Sequence, residues 1–274
     1  MKREQTNWLV TLLIALGSIV VILPLYLTVM IAVKSPQELA ESVFALPRVW
    51  QWSNFSEAIR MTNFFHVFRN SAVITICSLI FTLLTNSMVA YAVARNMDKR
   101  LFRSLYYYFV SALFVPFPII MLPLVKEMSA LGMNNQFGLI VLYVVYGISF
   151  NMFLYVGYLK SIPAELEEAA MMDGASVWST FWRVIFPLLS PINATVGILT
   201  CIWAWNDFLL PFIILSKPTM ATLPLAQYIF QSQFSVQYNY AFASYLMALS
   251  PMVLVYLIAQ RWIISGVLRG ALKS

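Results

Sequence analysis

Charged residues are placed so unevenly in this chain that long stretches carry almost none, and those stretches decide what it can fold into. A bilayer core of about 30 Å needs roughly 20 apolar residues in helical form, and in hydrocarbon only a helix or a closed barrel satisfies every backbone group. Six nearly uncharged intervals reach that length: Trp8 to Val33, Asn70 to Ala94, Phe102 to Leu124, Leu139 to Leu159, Leu188 to Ile214 and Ala241 to Ile264. With 61% hydrophobic and 10% charged residues and a mean hydropathy of +0.79, the chain lies outside the balance of soluble domains. The expectation is an all-α, polytopic membrane protein with six transmembrane helices, a single domain over residues 1–274.

Lys2 and Arg3 precede the first apolar run as they would in a signal peptide. The run is too long for a signal h-region and no Ala-x-Ala-like site follows, so a retained helix is expected. Orientation follows from lysine and arginine, which accumulate in cytoplasmic loops. One side of the six-span arrangement holds Lys2, Arg3, Arg95, Lys99, Arg100, Arg103, Lys160, Arg183, Arg261, Arg269 and Lys273. The other holds only Lys34, Arg48, Arg60, Arg69, Lys126 and Lys217, spread over longer loops. Both termini are therefore expected in the cytoplasm, with outer loops at about 34–69 and 216–240, a cytoplasmic loop at about 160–187 and a cytoplasmic tail at about 265–274. The net charge of +6 follows from this asymmetry and from anionic lipid, so no nucleic-acid partner is implied.

Reactive constellations are missing. His66, the single histidine, sits at the outer end of the second span, where capping or packing is the expected role. Cys77 and Cys201 fall inside spans without paired spacing and read as small apolar residues. No glycine is followed by lysine, which excludes a Walker-type phosphate loop, and no metal-ligand spacing occurs. No catalytic residue, cofactor or metal is assigned to this chain; ATP, if used, must be bound by another one. Asp207, in "WAWNDFLLP", is the one carboxylate deep in an apolar stretch, which by default asks for a function. As an ion-coupling site it would support a carrier acting alone, although a carboxylate beside Asn206 near a helix end more often caps locally.

The loop "KSIPAELEEAAMMDGASVWSTFWRVIFP" carries more information. Pro163 suits a first helical turn, and Glu165, Glu167 and Glu168 follow where a helix N-terminus favours negative charge. Gly174 suits a left-handed stop and Ser176 can cap the next helix, whose Val177, Phe181 and Val184 share one side. The product is a stiff, acidic knob flanked by Met171 and Met172, and it offers close approach at Ala169 and Ala170.

These residues resemble the EAA motif of ATP-binding-cassette importer permeases, E-A-A-x3-G-x9-I-x-L-P. Glu168, Ala169, Ala170, Gly174 and Pro187 stand in register, with Val184 at the Ile position and Phe186 at the Leu position. "FRNS" in the second span, "WAWNDFLLPF" in the fifth and the ending "QRWIISGVLRGALKS" are similar to the carbohydrate branch of that family, the maltose-transporter type, so the resemblance runs along the whole chain. The tail departs from the branch's G-L-x-x-G-A-x-K-G in having Val267 and Leu268 after Gly266 and Ser274 last.

The resemblance implies a type I importer permease fold in a bacterial plasma membrane. It implies a second homologous permease subunit, a dimeric cytoplasmic ATPase holding ATP and Mg, an extracytoplasmic solute-binding protein, and a carbohydrate as solute. It gives Glu167, Glu168, Ala169, Ala170, Asp173, Gly174 and Pro187 to ATPase coupling, the carboxylates pairing with basic groups there, and it gives Gly270, Ala271 and Lys273 to ATPase contact by the tail. The outer segment containing "FQSQFSVQYNY" resembles the loop that approaches the binding protein's sugar cleft. Aromatic and amide groups suited to a sugar pathway are Tyr143, Tyr146, Asn151, Asn193, Asn206 and Asp207. A permease for a non-sugar solute and an ion-coupled carrier using Asp207 are the competing readings.

Overall fold

A computed structural model describes residues 8–230 and 237–271, and among these there is no strand. The helices in chain order are α1 (Trp8–Ala32), α2 (Pro36–Glu41), α3 (Ser53–Thr62), α4 (Phe64–Ala94), α5 (Arg100–Ser111), α6 (Phe117–Ala130) and α7 (Gln136–Leu159). They continue with α8 (Glu165–Met172), α9 (Val177–Leu188), α10 (Ser190–Asn206), α11 (Leu209–Ile214), α12 (Leu223–Gln227) and α13 (Tyr238–Ala271). Four are long and apolar enough to cross a membrane: α1, α4, α7, and α13 over Tyr238–Ile258. The count becomes six when the bent pairs α5 with α6 and α9 with α10 are each taken as one span.

The first bend departs from the straight span expected, and the second falls where the amphipathic helix of the loop was expected to give way to the next span. Between Phe102 and Leu124 the chain turns by 109°, because Pro116 forces Val115 into an extended conformation (φ −87°, ψ 113°) and cannot itself donate a helical hydrogen bond. A second bend, of 75°, separates α9 from α10. The expected Leu188 to Ile214 helix also stops at Asn206: Asp207 is extended (φ −71°, ψ 128°), and its Oδ1 accepts the Leu209 amide at 3.0 Å to start α11. At its start α4 gains the turn from Phe64 to Asn70.

Contacts divide the chain into two units. The first comprises Met1–Phe65 and Ala226–Pro251. Asn54 organises it: Nδ2 donates to the carbonyls of Ala32 and Lys34, both at 2.9 Å, and Oδ1 accepts Asn239 Nδ2 at 3.1 Å. Lys34, expected in an outer loop, is 1% exposed. Its ammonium donates to Ser42 O at 2.9 Å and Val43 O at 3.2 Å, just past the end of α2. Most of the side chains on α1 are exposed, as suits a helix whose solvent is lipid.

The second unit comprises His66–Leu225 and Met252–Ser274. One apolar cluster gathers Tyr91 and Val93 of α4, Tyr155 and Leu159 of α7, and Phe181 and Ile185 of α9. Another gathers Ile74, Leu139, Tyr143, Ala204 and Ile214. In lipid such helices gain little from burying oil in oil and associate through close packing of small residues. Ala90, Ser78, Thr82 and Ser87 are accordingly buried on α4, and a Cβ added at Gly197 of α10 would lie 3.2 Å from Leu79 Cδ1. The start of α4 pins the segment that follows α11: Asn70 Nδ2 donates to Thr219 O and Ala221 O, both at 3.0 Å, and Ser71 Oγ accepts the Leu223 amide at 2.7 Å. His66 Nε2 lies 2.7 Å from Thr219 O, a packing role.

Gly138 tests this packing. A methyl group there would meet Met133 O at 1.9 Å, whereas Gly157 on the same helix has nothing within 4 Å. Gly138→Ala should destabilise by about 1–3 kcal/mol, and Gly157→Ala should stabilise by about 0.5–1 kcal/mol through helix propensity. Apparent Tm values in detergent should move in opposite directions for the two variants.

Candidate functional site

The knob forms from its local sequence. Glu165, Glu167 and Glu168 occupy the first turn of α8, where they face the partial positive charge of the unbonded amides. The helix ends in a Schellman arrangement: the Gly174 amide donates to Met171 O and the Ala175 amide to Ala170 O, both at 3.0 Å, with Gly174 at φ +86°. Ser176 then caps α9, its Oγ accepting the Ser179 amide at 3.2 Å. A π turn over Phe181–Ile185 rotates the register. Phe181 and Ile185 therefore point inward while Val177 and Trp178 stay exposed, and Val177, Phe181 and Val184 do not share a single face.

The seven loop residues separate into two groups. Glu168, Ala169, Asp173, Gly174 and Pro187 are exposed and Ala170 half-buried; Met172 beside them is 87% exposed, with Leu166 and Met171 also open. Glu167 differs, being 5% exposed. Its Oε2 accepts the Tyr91 hydroxyl at 2.8 Å, and its Oε1 accepts Arg95 Nε at 2.7 Å and Nη2 at 2.6 Å. This corrects the expectation that Glu167 turns outward toward a basic group on another chain. Successive residues of a helix point about 100° apart, so Glu167 lies against the chain while Glu168 faces away.

Arg95 and Tyr91 were not singled out from sequence. Arg95 was visible only as one of several basic residues after the second span, and its acid lies far along the chain. The same guanidinium donates to Leu159 O at 3.2 Å and Ile162 O at 3.1 Å, so it also caps the end of α7, where positive charge is favoured.

The pathway residues also divide. Tyr146, Asn151, Asn206 and Asp207 line a cleft of about 780 Å³ with Phe150, Thr200 and Trp203. Asn151 is 4% exposed, and neither its Nδ2 nor the Tyr146 hydroxyl has a hydrogen-bond partner. Trp203 packs edge-on against Tyr143 with centroids 5.0 Å apart; its position on α10 one turn before Asn206 was the missed signal. Tyr143 is fully buried, its hydroxyl donating to Asp207 Oδ2 at 2.9 Å. Asn193 accepts the Tyr155 hydroxyl at 2.7 Å. Neither Tyr143 nor Asn193 is part of the cleft lining.

Gly270 and Ala271 fall in the last turn of α13. Lys273 and most of "FQSQFSVQYNY" lie outside the described residues. Among the described residues no group of His, Cys, Asp and Glu is placed to hold a metal ion.

A family model described as the inner membrane component of binding-protein-dependent transport systems matches residues 86–269. The multiple sugar-binding transport system permease protein MsmG of Streptococcus mutans is 40% identical, over 99% of both chains. The probable starch degradation products transport system permease protein AmyC of Thermoanaerobacterium thermosulfurigenes is 35% identical, over 100% of this chain and 99% of its own. The diacetylchitobiose uptake system permease protein NgcG of Streptomyces coelicolor is 32% identical, over 95% of this chain and 87% of its own. Among solved structures, a chain of a bacterial ABC transporter involved in the import of the acidic polysaccharide alginate superposes with a TM-score of 0.82 at 22% identity, covering 95% of this chain and 98% of that one.

The turn at Gly174 requires a left-handed backbone. Gly174→Ala should cost about 1 kcal/mol and Gly174→Asn clearly less, because asparagine tolerates that region; apparent Tm values ranked wild type, Asn, Ala would verify the motif.

Proposed function

We infer the role of this chain from its family, because it belongs to the inner membrane components of binding-protein-dependent transport systems. It is the membrane permease subunit of a carbohydrate importer of the ATP-binding-cassette type. The observation that carries the carbohydrate is agreement among relatives that match nearly the whole chain and are named for sugars, oligosaccharides or their breakdown products.

The subunit works with a second homologous permease, an extracytoplasmic solute-binding protein and a dimeric ATPase that binds ATP and Mg and hydrolyses ATP. It lies in a bacterial plasma membrane with both termini cytoplasmic, supported by the excess of lysine and arginine on that side. The knob docks in a groove of the ATPase. Glu168 and Asp173 pair with basic groups there, Met171 and Met172 supply apolar contact, and Ala169, Ala170 and Gly174 permit close approach. Pro187 fixes the end of the loop, and the tail with Gly270, Ala271 and Lys273 adds a second ATPase contact. Closure of the ATPase dimer biases the permease pair between inward- and outward-facing states, which requires only that nucleotide and loaded binding protein favour one state over the other.

The cleft between α7 and α10 is the solute pathway of this subunit. The rings of Tyr146, Phe150 and Trp203 offer flat apolar faces to the C–H face of a sugar ring. The Tyr146 hydroxyl and the Asn151 and Asn206 amides offer polar groups to its hydroxyls. A buried group without a partner costs about 1–3 kcal/mol, so a sugar hydroxyl reaching Asn151 would relieve that cost. Asp207 holds the break before α11: one oxygen accepts the Leu209 amide and the other the Tyr143 hydroxyl. Nothing in this arrangement favours ion coupling.

The test is sugar-stimulated ATP hydrolysis in proteoliposomes that contain this chain, its sister permease, the ATPase and the binding protein. Gly174→Asp should reduce stimulation at least about 10-fold, the scale of one lost contact worth 1.4 kcal/mol, or release the ATPase from the complex. Unchanged stimulation would make the knob a solvated connector. In the same system Trp203→Ala should raise the KM for sugar uptake about 10-fold, equivalent to loss of one stacking contact of roughly 1.4 kcal/mol, and leave ATPase assembly intact.

A further inference from the structure

The coupling helix is anchored by more than its connectors. Only residues 160–164 join the end of α7 to α8, and such a short irregular link would by itself let α8 tilt. Instead, the Glu167 carboxylate of α8 is held from the end of α4, and the arginine that holds it also reaches the end of α7. Tyr91 and Arg95 lie one turn apart at the end of α4, so both reach α8 from a single face. Tyr91 takes one oxygen of Glu167 at 2.8 Å and Arg95 takes the other through two nitrogens at 2.7 and 2.6 Å. The remaining Arg95 donors reach Leu159 O and Ile162 O at the end of α7. Both charges are thus satisfied by partners within the unit, and the tilted ring contact of Tyr91 with Phe181, with centroids 5.2 Å apart, closes the site on the α9 side.

We propose that Tyr91, Arg95 and Glu167 form a positioning clamp that makes α8 one rigid piece with the ends of α4 and α7, so that displacement of the knob is delivered to the membrane helices. None of the three touches solute or nucleotide. Glu167 therefore acts at one remove from the docking contact: Glu168 and Asp173 hold the ATPase, and Glu167 holds the permease. Cutting the clamp leaves a knob that still docks but moves on its own. Hydrolysis then proceeds with little transport, a phenotype distinct from loss of docking, in which the ATPase leaves the complex. This assignment rests on the coupling role inferred above for the loop.

Two measurements on the assembled importer test it. The first is the number of solute molecules moved per ATP hydrolysed, in wild type, Tyr91→Phe, Glu167→Gln and Arg95→Lys. The clamp predicts full ATPase assembly in all four, a ratio lowered about 2-fold or more by Tyr91→Phe, and one lowered about 10-fold by Glu167→Gln. Arg95→Lys should be intermediate, because lysine keeps the charge and loses the fork that reaches two partners. A residue that merely stabilised the fold would lower the amount of complex and both rates together, with the ratio constant; a constant ratio in Tyr91→Phe and Glu167→Gln overturns the clamp.

The second measurement does not depend on the solute. Spin labels at Glu165→Cys on α8 and Asp98→Cys beyond α4, both exposed sites, with Cys77 and Cys201 replaced by serine, report whether the two helices move together. One narrow distance, unchanged by ATP, is expected with the clamp intact, and a broadened distribution with Glu167→Gln. Identical distributions in the two backgrounds overturn the proposal. If the wild-type complex moved no carbohydrate, the functional reading would fail while the spin-label result still decided the clamp.

Discussion

In hydrocarbon every backbone amide and carbonyl must find a partner inside the protein, and this requirement explains where the chain is regular and where side chains take over. Along α4 and α7 the helix satisfies itself. At several interruptions a side chain accepts or donates: Asn135 before α7, through the Gly138 amide at 3.0 Å; Asp207 between α10 and α11; Asn70 and Ser71 on the segment that follows α11. Lys34 does the same past α2 with an ammonium in place of an amide. Some of the polar residues inside this oily chain thus serve its interruptions, while others, such as Ser78, Thr82 and Asn151, lie within helices.

The two candidate sites share the helices that separate them. The cleft is walled by Tyr146 to Asn151 on α7 and Thr200 to Asp207 at the end of α10. From Asn151 to Leu159, whose carbonyl Arg95 holds, is eight residues of continuous helix, about 12 Å at 1.5 Å per residue. On the other side α10 begins two residues after α9, within the same fold of chain as the knob. If the cleft takes solute and the knob docks a partner, the continuous helix of α7 would carry displacement from one to the other without a series of small rearrangements between them.

Much of this was legible from sequence, and the exceptions have a common cause. Charge-poor length located α1, α7 and the start of α13 to within three residues, and Gly174 with Ser176 marked the knob's turn, because backbone conformation and composition are local properties. Apolar length carries no direction, so the turn at Pro116 and the stop at Asp207 were both absorbed into straight spans. The side on which a charge lies is no more local: Glu167 and Glu168 are chemically alike, and only Tyr91 and Arg95, brought in by tertiary folding, separate them. Tyr143 and Asn193 were taken from sequence as pathway groups for their chemistry, yet each is engaged with a core partner. Trp203, which lines the cleft, was not singled out from sequence.

The separation of 72 residues between Arg95 and Glu167 also sets an order of events in biogenesis. At synthesis rates of about 5–20 residues per second, Arg95 leaves the ribosome roughly 4–15 s before its acid exists. During that interval it is a bare cation at the end of α4, free to help fix which way the helix is threaded through the translocon. Only when α7 and the knob have followed is the charge neutralised.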